Sequence, residues 1–518
     1  MSPAAASAQL PPTRLIPGGA PGFPVITAIS NGAGQVTLSW TGFTGPYAIL
    51  ASTNLATASW QTVSNVSQPG SITIPQGSHP TFYRITGSVP DIAGARMCGS
   101  CHVETYSTWS GTPHAMALDT LKDQGQDTNP DCIVCHTTSF GVPTGFKNET
   151  ATPNLAGVQC ESCHGPAGAH AGYSDDPKLK PIANVTAEIC GGCHQNYNQP
   201  QYEEWALSGH ARVNPTVAKS IRQNGEASMK SCGACHSGAV RVALVRGLAL
   251  PKNEVAATSP ITCAACHECH YETPYKPHLR NPVASTNFFS FSMAADVPFL
   301  SQYNEEINLC GQCHNSRGAT WQSPDSAPHR SQQYNMYVGN VGVGNSDPAP
   351  ASTHRDIPTQ CVRCHQHAFT PDTPTVDNPR QTGHSFQVNL DGCLPCHITG
   401  AAVRIATTQN ELRQRINDLK VLLNTWANTQ SPNTLRVKYG NLAWEYTTPG
   451  PLSNPSGDSA IAGPDASEQA LIPDAVKQAR FNLYLVQQDG SFGVHNGKYA
   501  RYLLQVAEDK LNSLLAPP

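Results

Sequence analysis

The chain has 518 residues, of which only 13% are charged, and its formal net charge is −4. Ordinary globular domains carry roughly 25% charged residues. That balance argues against a nucleic-acid partner, and no block of like charge marks an anionic membrane surface. No apolar run approaches the ~20 residues that a membrane-crossing helix needs, so no transmembrane segment is expected. With 42 glycines and 43 prolines, much of the backbone must be turn and loop. At this length two to four domains are expected.

The first ten residues, MSPAAASAQL, have neither a basic region nor an apolar core. Their Ala-Ser-Ala run looks like the tail of a signal peptide, and a disordered Ala/Pro leader reads equally well. Residues 1–20 are therefore taken as leader or disordered segment. Residues 21–90 contain no cysteine and read as β. Alternating runs at Val25–Ile29, Val36–Trp40, Tyr47–Ala51, Trp60–Val63, Ser71–Ile74 and Phe82–Ile85 are separated by Gly, Pro, Asn and Ser clusters. Six strands with Trp40, Trp60 and Tyr83 as core aromatics predict a small β-sandwich that looks fibronectin type III-like. It serves either as an adhesion or subunit-contact module or as a passive spacer.

Residues 91–400 hold every cysteine. Eighteen of the nineteen fall into nine Cys-x-x-Cys-His pentads. They are Cys98/Cys101/His102, Cys132/Cys135/His136, Cys160/Cys163/His164, Cys190/Cys193/His194 and Cys232/Cys235/His236, then Cys263/Cys266/His267, Cys310/Cys313/His314, Cys361/Cys364/His365 and Cys393/Cys396/His397. This is the attachment signature of c-type haem: two thiols three positions apart reach the two vinyl groups of one porphyrin, and the histidine ligates the iron. Zinc knuckles and redox disulfides also use Cys-x-x-Cys, but neither requires a histidine after every second cysteine. Nine covalent haems c are expected, and porphyrins then replace much of an ordinary core. Residues 263–270 (CAACHECH) contain two overlapping pentads that share Cys266. Attachment through Cys263 is preferred, which leaves Cys269 a free thiol.

The pentads also repeat in groups of three. Cys98–His102 is followed by Tyr106, Trp109 and His114-Ala115, and Cys190–His194 by Tyr202, Trp205 and His210-Ala211, with two further pentads after each. Three-haem modules are read at 98–170 and 190–270, with a more divergent third at 310–397. Stretches Gly339–Ala351 and Thr370–Pro379 read as surface loops.

A haem with one histidine keeps an open position for a ligand, whereas a haem with two mainly passes electrons. Outside the pentads, and apart from His79 in the β region, ten histidines remain: His114, His170, His210, His270, His278, His329, His354, His367, His384 and His495. With only six methionines in the chain, ten candidates for nine second positions favour two-histidine ligation. His170, His270 and His367 lie too close in sequence to a proximal histidine to reach the other face of the same ring, so His170 serves a neighbouring haem, and His270 and His367 serve other haems or none. One of His278 and His329 is the spare; His329 is kept in the ligand set. Residues 401–518 turn helical, with Leu412, Ile416, Leu419, Leu423 and Trp426 on one face, Val476, Ala479, Leu483 and Val486 on another, and a last helix from about Lys498 to Leu515.

The pentads, with Cys-Glu-Ser-Cys-His-Gly-Pro at 160–166, resemble the superfamily of cytochrome c554, hydroxylamine oxidoreductase and ammonia-forming nitrite reductase. Residues 490–500 (GSFGVHNGKYA) look like the His-Asn ligand segment of those enzymes, although Gly497 stands where the family usually has proline. The resemblance implies that His495 is a distal ligand of an earlier haem, that haems stack in pairs, and that the protein is exported to the periplasm, cell surface or exterior. No pentad ends in lysine, which argues against nitrite reduction. A hydroxylamine oxidoreductase-type site needs an open haem linked to a tyrosine, and no spacing singles out Tyr334, Tyr337, Tyr439 or Tyr446.

The expected fold is mainly α and irregular, a haem-packed multihaem cytochrome core with an N-terminal β-sandwich and C-terminal helices. The expected function is electron transfer along nine haems, including extracellular electron transfer to redox partner proteins or an extracellular acceptor. Polymerisation into a conducting filament, or a homo-oligomer, is a variant of it. The alternative is an oxidoreductase of small nitrogen or sulfur compounds at one open haem.

Overall fold

The computed structural model describes residues 25–32, 34–41, 47–53, 60–66, 70–75, 81–87, 92–181, 183, 186–273, 277–280, 309–344, 350, 352–357 and 360–516. The leader and His79 lie outside the described residues.

Six strands form where alternation predicts them: β1 (Val25–Gly32), β2 (Gln35–Thr41), β3 (Tyr47–Ser52), β4 (Gln61–Val66), β5 (Gly70–Pro75) and β6 (Phe82–Gly87). They make two antiparallel three-stranded sheets, ordered β1-β2-β5 and β4-β3-β6. The central strands carry the core. Val36, Leu38 and Trp40 point inward from β2, and Tyr47 and Ile49 from β3, the period of two placing each set on one face. Trp40 and Tyr47 meet edge to face at 5.6 Å. Tyr83 packs against this core, but Trp60 is only half-buried and stands outside it. Tyr47 takes the place expected of Trp60, because it sits on a central strand whereas Trp60 only leads into the edge strand β4.

From residue 92 to about 400 the helices are short, and most pentads ride on them, as at Pro130–His136, Cys160–His164 and Gln360–His365. Local chemistry limits their length. Asn129 caps the Pro130–His136 helix by accepting from the Asp131 amide at 3.1 Å, with proline at its first position. Gly165, at φ +78°, ends the Cys160–His164 helix. Apolar residues gather here only in small clusters, such as Ile92, Leu118, Leu121, Ile133, Phe146 and Leu155.

The large protein-only core lies at the C-terminal end. The Ala401–Thr429 helix buries Leu412, Ile416, Leu419, Leu423 and Trp426 against the Asp474–Asp489 and Gly497–Leu515 helices. Val476, Ala479, Leu483 and Val486 are buried in the same cluster. At its centre the fully buried Arg480 donates to the Trp444 and Glu445 carbonyls at 2.8 and 2.7 Å and lies over the Tyr446 ring at 4.0 Å. A buried guanidinium is tolerated only when so satisfied.

This core reaches back into the third module. Gln332 Nε2 donates to the Leu485 carbonyl at 3.0 Å, and Asn482 exchanges hydrogen bonds with both backbone groups of Val343. The glycine-rich stretch predicted as a surface loop is, over residues 339–344, packed on the last helix. A Cβ at Gly342 would lie 2.2 Å from a Leu503 methyl, and one at Gly344 would lie 2.5 Å from the Tyr502 hydroxyl. Glycine there serves close backbone approach rather than looseness. Among the described residues no helix is long and apolar enough to cross a membrane.

Candidate haem sites

The pentad repeat has a backbone counterpart. Tyr106 N donates to the His102 carbonyl at 2.9 Å, Tyr202 N to His194 at 3.0 Å, and Tyr334 N to His314 at 3.0 Å. The short helices Val103–Trp109, Gln201–Leu207 and Gln333–Val338 are thus hung from the proximal histidines of pentads one, four and seven in the same way. Tyr106–Trp109 and Tyr202–Trp205 show matching ring contacts at 5.9 and 5.8 Å. The glycine after the first cysteine makes room: a Cβ at Gly99 or Gly191 would fall 2.7 or 2.5 Å from the facing tyrosine ring. The third module, read from sequence as divergent, shares this device through Tyr334.

Two carboxylates, the buried Glu161 and the half-buried Glu204, tie distant segments to the pentads. Glu161, in the third pentad, accepts from the amides of Ala93, Gly94 and Ala167 at 3.0, 2.7 and 2.8 Å, which pins the approach to the first pentad. Glu204 accepts from the Thr382 and His384 amides, both at 2.8 Å, and so carries His384 to the second module.

Seven proximal histidines each face a second imidazole. His194 faces His114 at 6.2 Å between ring centroids, His164 faces His270 at 6.0 Å, and His314 faces His210 at 6.2 Å. His236 faces His329 at 6.1 Å, His267 faces His384 at 6.3 Å, His397 faces His354 at 6.2 Å, and His365 faces His495 at 6.2 Å. One metal held between two imidazoles needs this spacing. Two metal–nitrogen bonds of about 2 Å and two half-rings of about 1 Å sum to roughly 6 Å.

The ring nitrogens are already sorted. Nδ1 donates to a backbone carbonyl in His136 (Ala117, 2.7 Å), His267 (Pro277, 2.9 Å), His354 (Val494, 3.0 Å) and His365 (Phe386, 3.0 Å). Ser331 gives its own proton to Asn315, so it accepts from His329 Nδ1 at 3.0 Å; Thr382 likewise donates to Glu204 and accepts from His384 at 2.9 Å. His495 Nδ1 donates to Asp489 at 2.7 Å, and His270 Nδ1 to Glu268 at 3.3 Å. Such bonds leave Nε2 for the iron and fix the ring. Burial, with the facing imidazole next in effect, pushes His114 and His210 down to about 4, and they are then neutral, the ligating form, at pH 7. At His495 burial is outweighed by the Asp489 carboxylate, and the pKa rises. The residues fit haem: thiol pairs on short helices, with facing imidazoles at iron-spanning distance.

Among the described residues five histidines stand outside these pairs. Among the described residues His102 and His136 face no second imidazole at that spacing. His170 and His278 each have a buried Nδ1 with no hydrogen-bond partner, and His278 takes a left-handed φ of +58°. His367 lines a cleft of about 510 Å³ with Glu204, Leu207, Gln381 and Leu390. In the overlapping pentads His267 and His270 go to different partners, His384 and His164. His270 therefore sits opposite another pentad rather than at its own.

Sulfurs of different pentads meet in pairs. Cys98 lies within hydrogen-bonding reach of Cys160, Cys135 of Cys193, Cys190 of Cys263, Cys235 of Cys313, and Cys310 of Cys361. Cys163 is close enough to Cys190, Cys266 to Cys310, and Cys393 to Cys364, to be felt electrostatically. No disulfide joins any of the cysteines. These neighbours connect all nine pentads, including pairs one/three and two/four. Sequence alone could not have given these partners, because each is set by the fold.

Cys101, Cys163 and Cys396 are exposed, whereas the other sixteen cysteines are partly buried. Cys101 and Cys396 belong to the first and ninth pentads, each of which meets its neighbour through its first cysteine, Cys98 or Cys393. The Ser100 hydroxyl, itself exposed, lies 3.9 Å from Cys101 Sγ.

Residues 97–165 and 189–271 each match the family model described as cytochrome c554 and c-prime, the two matches coinciding with the first two modules. Cytochrome c-554 of Nitrosomonas europaea is 31% identical over 135 residues, 20% of this chain and 57% of that protein. The chain thus spans little more than half of that relative. The multiheme cytochrome MtrA of Shewanella baltica is 24% identical over 282 residues, 47% of this chain and 78% of that protein. Among solved structures, the outer cell wall cytochrome OcwA overlays with a TM-score of 0.49 at 19% identity, over 81% of this chain and 99% of that one.

Proposed function

We propose that this chain, a multihaem c-type cytochrome, binds nine haems and relays electrons among them outside the cytoplasmic membrane, with a redox partner protein or an extracellular acceptor at its ends. Multihaem electron transfer is its general role. The observation that carries the nine-haem reading is the unbroken succession of pentads in contact or close approach. When bound, the haems supply the one-electron chemistry; the protein supplies ligands, spacing and exclusion of water.

In this reading the Cys-x-x-Cys pairs hold the porphyrins and the seven facing imidazole pairs hold seven irons on both sides. Glu161 brings pentads one and three together, which supports His170, six residues beyond His164, as the second ligand at His102. Export follows from the chemistry of covalent haem attachment in this class. The two N-terminal sheets, with β2 and β3 central, suit a fibronectin III-like contact module or spacer.

The second pentad supports a second reading. In the third module His329, between His314 and Tyr334, stands opposite His236. The second module has no histidine between His194 and Tyr202 to serve His136 in the same way. The haem on Cys132/Cys135 is then the one left open for His278 or for a small nitrogen or sulfur compound. Intact mass and pyridine haemochrome titration should report nine haems, and low-temperature EPR should report no more than one high-spin iron. A high-spin signal that disappears on addition of nitrite, and is lost in Cys132→Ser/Cys135→Ser, favours the enzyme. Wholly low-spin irons favour the pure relay, and eight or ten haems defeat the count.

A further inference from the structure

Asp489 is a carboxylate in an unfavourable place. It ends the Asp474–Asp489 helix, where the helix dipole is negative, and its side chain is 2% exposed. A buried acid at a helix C-terminus is disfavoured by desolvation and by the dipole together. Its contacts account for its presence. One oxygen accepts from His495 Nδ1 at 2.7 Å, and the other accepts from the Ser491 hydroxyl, which in turn receives the His495 amide at 3.2 Å.

The other bound rings differ. Most use a carbonyl, a hydroxyl or, at His314, the Gln333 amide oxygen, all uncharged. His270 alone shares the use of a carboxylate, but Glu268 is also claimed by the buried Arg280 and by the amides of Cys269 and His270. Among the described residues no Lys or Arg pairs with Asp489. Its full charge therefore acts on one imidazole. A carboxylate drawing on the Nδ1 proton makes the ring a more electron-rich ligand and favours ferric over ferrous iron.

Resting on the reading of His365 and His495 as the two ligands of one haem, we propose that Asp489 is a tuning residue that makes the haem on Cys361/Cys364 a low-potential step. That haem stands between its neighbours: Cys361 touches Cys310 of the seventh pentad, and Cys364 approaches Cys393 of the ninth. Electrons moving in either direction between the ninth haem and the first seven cross the step, and its height sets how readily the ninth haem exchanges with the rest.

The test uses the full haem-loaded chain. Asp489→Asn keeps the shape and the hydrogen-bond acceptor and removes the charge. Spectroelectrochemical titration should then show one of the nine haems shifted to higher potential, still low-spin, with Asp489→Glu restoring the original value. Unmoved potentials in Asp489→Asn would overturn the tuning role, as would conversion of that haem to high-spin, which would mean that Asp489 merely holds the ring in place. His495→Ala separates the two layers of the argument. It should turn one low-spin iron high-spin, and if every iron stays low-spin the ligation reading itself fails, whatever Asp489→Asn does.

Discussion

Cys263 and Cys269 compete for the same partner, Cys266, and the geometry around them separates their roles. His267 and His270, which would be the proximal ligands of the two registers, face His384 and His164 respectively. Glu268 receives the Cys269 and His270 amides at 2.9 and 3.0 Å, so its buried carboxylate fixes the backbone that turns His270 away from its own pentad. Cys263→Ser should therefore lower the covalent haem count by one, while Cys269→Ser should leave it intact; intact-mass measurement reads both. A count that falls only in Cys269→Ser would reverse the register. The pentads themselves were legible in the sequence because covalent attachment demands fixed local spacing. Their surroundings were not: nothing local to Cys101 or Cys396 distinguishes them from the partly buried second cysteines. The second ligands were legible as a set of candidates only, since which ring faces which depends on contacts between distant segments.

Elements show the same division between local and distant information. The six strands and the C-terminal helices follow from periodicity, and every residue assigned to the two apolar stripes is buried. The third module concealed its kinship because the interval between proximal histidine and tyrosine grows from three residues to seven and then to nineteen. Only the hydrogen bond from Tyr334 to His314 reveals it. The glycine-rich stretch misled for another reason: composition cannot distinguish a glycine that permits motion from one that permits contact. At Gly342 the amide also donates to the Tyr499 hydroxyl at 2.8 Å. Gly342→Ala should overpack the Leu503 side chain and cost about 1–3 kcal/mol. Thermal unfolding and proteolysis should find the C-terminal helices loosened and the haem count unchanged. A neutral result would mean that residues 339–344 rest only lightly on the last helix.

At the scale of the whole molecule, the chain has two ways of making a core. The β region and the C-terminal helices use side chains alone, whereas the module region has only small apolar clusters between its pentads. The two sheets should accordingly be separable from haem chemistry. Deleting residues 1–90 should leave the visible spectrum and the low-spin signals of the purified protein unchanged. Loss of one low-spin iron in that variant would show that His79 reaches a haem.

The facing imidazoles come from distant parts of the chain; even the shortest span, from His354 to His397, exceeds forty residues. His164 meets a ring that lies beyond the whole next set of three pentads, and His365 meets one from the turn between the last two helices. A chain threaded from its N-terminus would therefore leave His164, His236, His267 and His365 waiting for a ring still to come, whereas His194, His314 and His397 find theirs already laid down. Maturation becomes a timetable that runs in both directions, in which some clasps are ready on arrival and the last of them in chain order is His495.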